Sequence, residues 1–173
     1  QAALKRELPD ATLQLEAGRE NLLARYLRYK QYGVNSLAMQ FTSHPTTGLN
    51  GFLRVGQFKA GELLIDTVQA EVTHGPEGLE VEATVENRKA DNPNPFLATL
   101  HGRLLRAGAE ANVAFKDGNG RLGLRLGAQV DMENGGTRLH LISDTAVVAY
   151  RNFAINADNY LYVSDDRRVR ANI

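Results

Sequence analysis

The chain contains no cysteine and no tryptophan, only five prolines, and no excess of charge, with 20 basic and 20 acidic side chains among 173 residues. Without cysteine there are no disulfides, thiolate nucleophiles or cysteine-ligated metals. That is compatible with an oxidising compartment and does not require one. The balanced charge argues against broad nucleic-acid binding, which needs excess positive charge to meet phosphates. Missing tryptophan and a modest aromatic content (7%) leave few flat platforms for a carbohydrate-binding module. No apolar run approaches the roughly 20 residues of a membrane-spanning helix, and no signal peptide opens the sequence. A start at Gln1 and an end at Ala171-Asn172-Ile173, inside a strand-like pattern, read as one β-rich segment, residues 1–173, excised from a longer protein. Any anchor or targeting signal is then expected outside it.

What the sequence has in abundance is period-two alternation, the mark of a strand with one dry and one wet face. It is clearest from Gly61 to Asn87, where Val68, Ala70 and Val72 alternate with Gln69, Glu71 and Thr73, and Leu79, Val81, Ala83 and Val85 alternate with Glu80, Glu82, Thr84 and Glu86. His74-Gly75-Pro76-Glu77-Gly78 supplies the turn of this long hairpin. Further strands are expected at Thr12–Glu16, Leu37–Thr42, Phe52–Phe58, Phe96–Leu105, Ala109–Phe115, Leu122–Leu126, Leu139–Leu141 and Val169–Ile173, and the last third, including Tyr160 to Val163, is denser in apolar residues. Turn signals every ten to fifteen residues or so indicate an antiparallel meander. Residues 88–95, with two prolines, are the most loop-like segment and are incompatible with a central strand. The period changes only at Asn21–Tyr32, where Leu22, Leu23, Tyr26, Leu27 and Lys30 recur at helical spacing. Asn21 is the expected N-cap and Gly33 the expected left-handed terminator, and the apolar stripe is expected to rest on a sheet. The fold expected is mainly β: an elongated, curled antiparallel sheet, a taco-like or open-sandwich trough, with one short helix near the N-terminus.

Catalytic motifs find no support. Asp117-Gly118-Asn119-Gly120 lacks the later carboxylates and closing Glu of a calcium loop and reads as a hairpin turn. His44, His74, His101 and His140 are scattered, without metal-ligand spacing. There is no nucleophile elbow, Walker loop or dinucleotide fingerprint. Glu80, Glu82, Glu86, Asp165 and Asp166 look like solvated strand faces, and nothing singles out a catalytic pair. No enzyme, metal or cofactor is expected. The apolar alternation itself has two readings: ordinary closed core, or an open groove that receives acyl chains, each methylene gaining roughly 0.8 kcal/mol on leaving water. The candidate groove residues are Val68, Val72, Leu79, Val81, Val85, Leu122, Leu124 and Leu126.

Four groups of residues, in order, carry a family resemblance: Gly48-Leu49-Asn50-Gly51; Leu63-Leu64-Ile65-Asp66-Thr67; Pro95-Phe96-Leu97-Ala98-Thr99-Leu100-His101-Gly102; and Ala149-Tyr150-Arg151-Asn152-Phe153 with Asn156-Ala157-Asp158-Asn159-Tyr160. From about Leu8 to Ile173 the chain resembles a periplasmic segment of TamB-family proteins, the translocation and assembly module of Gram-negative bacteria, in the version of the Bacteroidetes lineage. The resemblance implies a long periplasmic protein with an inner-membrane anchor outside this piece, an outer-membrane barrel protein as partner, and phospholipid acyl chains as cargo in an apolar trough. It implies a role in phospholipid transport to, and biogenesis of, the outer membrane, without catalytic residues. The alternatives are a chaperone-like scaffold that inserts outer-membrane proteins by strand addition, and an extracellular β-sandwich binding module. The helix exceeds what a plain trough requires; capping or lining the groove and covering a sheet edge are the roles open to it.

Overall fold

The computed structural model of the chain describes residues 8–61, 63–88, 94–133, 135–142 and 145–172, the side chains of Leu23 and Ala60 excepted. Within them thirteen strands form one antiparallel sheet. The strands are β1 (Ala11–Gly18), β2 (Tyr32–His44), β3 (Gly48–Ala60), β4 (Leu63–His74), β5 (Gly78–Asn87), β6 (Phe96–Leu105), β7 (Gly108–Asp117), β8 (Leu122–Glu133), β9 (Gly136–Leu141), β10 (Thr145–Val148), β11 (Arg151–Ala154), β12 (Tyr160–Ser164) and β13 (Val169–Asn172), with helix α1 (Leu22–Tyr29) between β1 and β2. β1 to β9 pair one after another in chain order; β12, beside β9, and β13 complete the row, and the β10–β11 hairpin sits off it, beside β8. β1 and β13 end the main row and β11 ends the side hairpin, so the sheet is open and not closed into a barrel. At about 4.8 Å per strand the main row runs roughly 50 Å.

The expected hairpin is present: β4 and β5 pair from Thr67↔Glu86 to His74↔Leu79, and Gly75 N–H donates to Gly78 C=O at 2.8 Å to close the turn. Asp117 closes the β7–β8 hairpin, its Oδ1 accepting from the N–H groups of Asn119 and Arg121 at 3.0 Å each. In the expected loop at 88–95, residues 89–93 lie outside the described residues, as does Ile173 of the last strand.

The helix departs from expectation in length and in facing. Asn21 does cap it, its Oδ1 accepting from Ala24 N–H at 2.7 Å. It ends at Tyr29 rather than Tyr32, and the left-handed residue is Gln31 (φ 65°), not Gly33. The reason is strand pairing: Tyr32 and Gly33 are taken up by β2 opposite Ala60 and Lys59. The helix lies chiefly against β2, and small Ala24, 3% exposed, is the side chain buried there. Leu22 and Tyr26 of the expected stripe face solvent instead of resting on the sheet.

Two local devices hold the C-terminal part together. At the gap between β11 and β12, buried Asn159 stands in for a strand partner: its Oδ1 accepts from Leu141 N–H at 2.7 Å, and its Nδ2 donates to Leu141 C=O at 2.9 Å and to Asn156 C=O at 2.7 Å. The β10–β11 turn has Ala149 and Tyr150 both in the left-handed region, φ 48° and 65°, a conformation that hairpins of this length favour but that side chains disfavour. Replacing Asn159 with Ala, which strands both Leu141 groups, is expected to cost about 2 kcal/mol in urea unfolding. Ala149→Gly is expected to stabilise by about 1 kcal/mol in the same assay, by relieving the turn.

Candidate apolar binding face

Residues directly opposite in an antiparallel pair point to the same side of the sheet. Following the register therefore traces each face across the molecule. One row runs Leu15–Met39–Leu53–Ala70–Ala83–Leu100–Val113–Leu126 through eight successive strands. Another runs Ala17–Leu37–Val55–Val68–Val85–Ala98–Phe115–Leu124. Beyond β8 the same face continues through Val130, Leu139 and Leu161. It is apolar nearly throughout.

The opposite face is polar. One of its rows is Thr73–Glu80–Arg103–Glu110–Gln129–His140. There Arg103 donates to Glu110 at 2.7 Å and to Glu77 at 3.3 Å, and the hydrogen bond and charge of Glu110 raise the guanidinium pKa further above its ordinary value. Arg138 is likewise raised, first by its 2.6 Å hydrogen bond to Glu133, and it also covers the rings of Tyr160 and Tyr162. Alternation has thus sorted charge and hydrocarbon to opposite sides.

Among the described residues no second layer covers the apolar face. All eight residues expected to line a groove are half-buried, none fully, and among the described residues the buried apolar side chains are only Ala17, Ala24, Ala146 and Val147. The chain exposes 11884 Å², against roughly 8,400 Å² for an ordinary folded protein of this mass. An uncovered one-layer sheet accounts for an excess of that kind.

Seven of the eight expected residues fall on this one face. Val68 meets Val85 and Val72 meets Val81; Leu79 lies opposite Leu104; Leu124 and Leu126 lie opposite Phe115 and Val113. Leu122 does not join them. A bulge between Phe115 and Lys116 leaves Gly123 unmatched and sets Leu122 opposite Lys116, on the polar side. Between the two predicted groups the structure inserts β6 and β7, so Leu100, Val113 and Phe115 become the centre of the face. Val85, Ala98, Leu100, Val113, Phe115 and Leu124 line a hollow of about 550 Å³, with Tyr150 from the strained turn also on its wall. That volume lies within the range of small-molecule sites, roughly 300–1,000 Å³. A Cβ at Gly123 would come within 3.1 Å of both Phe115 and Tyr150, so this glycine gives the rings their room. Arg121 lies over the outer ring, 4.9 Å from the Tyr150 centroid.

Among the described residues no three His, Asp or Glu side chains come together as a metal ion would require, and no helix is long and apolar enough to cross a membrane. The arrangement can hold hydrocarbon by burial alone. No protein-family model, curated protein or solved structure matches the chain.

A charge introduced on an uncovered face can still reach water. Val81→Glu and Leu124→Glu are each expected to keep the far-UV circular dichroism of the sheet and to cost no more than about 1.5 kcal/mol in chemical denaturation. Val147→Glu, at a site only 3% exposed, is expected to cost several kcal/mol.

Proposed function

We propose that this chain is a TamB-like segment of an envelope-spanning periplasmic protein and that its apolar face is a trough along which phospholipid acyl chains move toward the Gram-negative outer membrane. The observation that carries the reading is the apolar row that passes through eight strands with no covering layer among the described residues. A hydrocarbon chain on such a surface is held in proportion to the methylenes it buries, about 0.8 kcal/mol each. No residue has to let go of a specific polar group for the chain to slide. The uncharged face suits the acyl part of a lipid, and the headgroup remains in water at the rim. In this proposal the trough has no catalytic residues, the inner-membrane anchor and the outer-membrane barrel partner belong to the full-length protein, and the cargo is phospholipid.

A second reading rests on the edges. β1 pairs only with β2 and β13 only with β12 among the described residues. Each thus offers a row of backbone N–H and C=O groups to an incoming strand. A scaffold for nascent outer-membrane β-proteins would use these edges by strand addition, and a proline at Val169 would weaken it while sparing lipid binding.

The test is mass spectrometry of organic extracts from the protein purified from the periplasm, beside the Val81→Glu, Leu124→Glu double variant. Phospholipid is expected to accompany the wild-type chain and to be lost from the folded variant. A lipid-free wild-type chain would remove the trough reading and leave the edge-strand scaffold in front.

A further inference from the structure

Helix α1 presents its aromatic side to water. Leu22, Tyr26 and Tyr29, spaced i, i+4, i+7, share one face and are 83%, 59% and 81% exposed. The buried Ala24 lies on the opposite side. At the same end of the sheet, where β2 begins and β3 turns into β4, Tyr32 and Leu63 are exposed as well. Cations border the ridge. Arg25 and Arg28 are exposed on its flank, and Lys30 sits with Nζ 5.6 Å from the Tyr29 centroid. With Arg19 they make four positive charges against one negative charge, Glu20, over residues 19–32. Arg28 pairs with Glu20 at 3.5 Å, in water.

We infer that this ridge docks on the surface of an anionic phospholipid bilayer, the helix lying in the interface with its tyrosines at headgroup depth. Three features favour a bilayer over other occupants. Tyrosine has an apolar ring and a polar tip, which suits a layer that is dry on one side and wet on the other. Flanking Arg and Lys match anionic headgroups, each gaining roughly fivefold in affinity near such a surface. A second copy of the chain would bring like-charged flanks together, Arg25 and Arg28 against their own counterparts. Docking would lay the rim of the sheet near β1 and β2 against the membrane. The inference is independent of what occupies the apolar face, and a variant of that face separates the two.

The test is co-sedimentation of the whole chain with vesicles of phosphatidylcholine alone or of phosphatidylcholine mixed with phosphatidylglycerol. The wild-type chain is expected to bind the mixed vesicles at least tenfold more tightly, less so as salt rises. Tyr26→Ser with Tyr29→Ser, and separately Arg25→Gln with Arg28→Gln, are each expected to lower that binding about tenfold or more. Leu124→Glu is expected to leave it unchanged. Because the chain has no tryptophan, Tyr26→Trp provides a single reporter whose emission is expected to shift to the blue on adding mixed vesicles and not neutral ones. Equal binding to both vesicle types, helix variants that bind like wild type, binding abolished by Leu124→Glu, or an unshifted emission from the tryptophan reporter would each overturn the inference. So would loss of the sheet signal in the tyrosine-to-serine variant, which would make the ridge a structural element.

Discussion

The structure depends on parity. A strand sends alternate side chains to opposite faces, and an antiparallel neighbour in register keeps that choice. One hydrophobic decision made in β1 is therefore inherited by every strand after it. Val68 opposite Val85, Ala83 opposite Leu100 and Val113 opposite Leu126 are successive instances of the same rule. A slip of one residue anywhere would send the following hydrocarbon into the charged face. The polar pairings of the other side, such as Glu80 opposite Arg103 opposite Glu110, make such a slip doubly unfavourable. The turns set the count: Gly75 to Gly78 in one hairpin and the Asp117 turn in another fix where pairing resumes.

Where parity is broken, something local makes up for it. The bulge opposite Phe115 and Lys116 falls at Gly123, beside Leu124 and the overlying Tyr150, on the wall of the hollow in the apolar face. β8 also changes partner along its length. Residues Ala128–Glu133 pair with β9, while Leu124 and Arg125 pair with β10. Leu141, opposite Ala128 on its β8 side, lies beyond the last β9–β12 pair, and there the side chain of Asn159 takes the partner's position. The bulge and the partner switch of β8 thus both lie beside the hollow at Leu124.

How much of this can be read from the residues depends on the strand. β4, β5 and β7 alternate so cleanly that their faces are legible at once. β6 is not: Leu97 and Leu105 lie on its polar side and Gly102 on its apolar side, so only the pairing with β5 assigns it. This is why the pattern picks out Val81 and passes over Leu100, at the centre of the face. Leu122 alternates perfectly with Leu124 in the sequence, but a bulge has no strong sequence mark beyond the adjacent glycine. The helix is legible in existence and in its cap. Its facing is not, because periodicity gives the direction of an apolar stripe and not what the stripe meets; small Ala24 is buried while Leu22 and Tyr26 stay exposed.

The order of the strands has a consequence for how the molecule is held together. From β1 to β7 every strand pairs only with the strand before it and the strand after it in the chain, and only the β8–β10 and β9–β12 pairings depart from that order. Such an array has no keystone. Its stability accumulates hairpin by hairpin, as in stacked repeats, and so does its folding, since closing each new contact spans only a short stretch of chain. Hairpins of this kind can be added, removed or duplicated without rebuilding a common interior. Length then becomes a quantity that evolution can adjust one hairpin at a time.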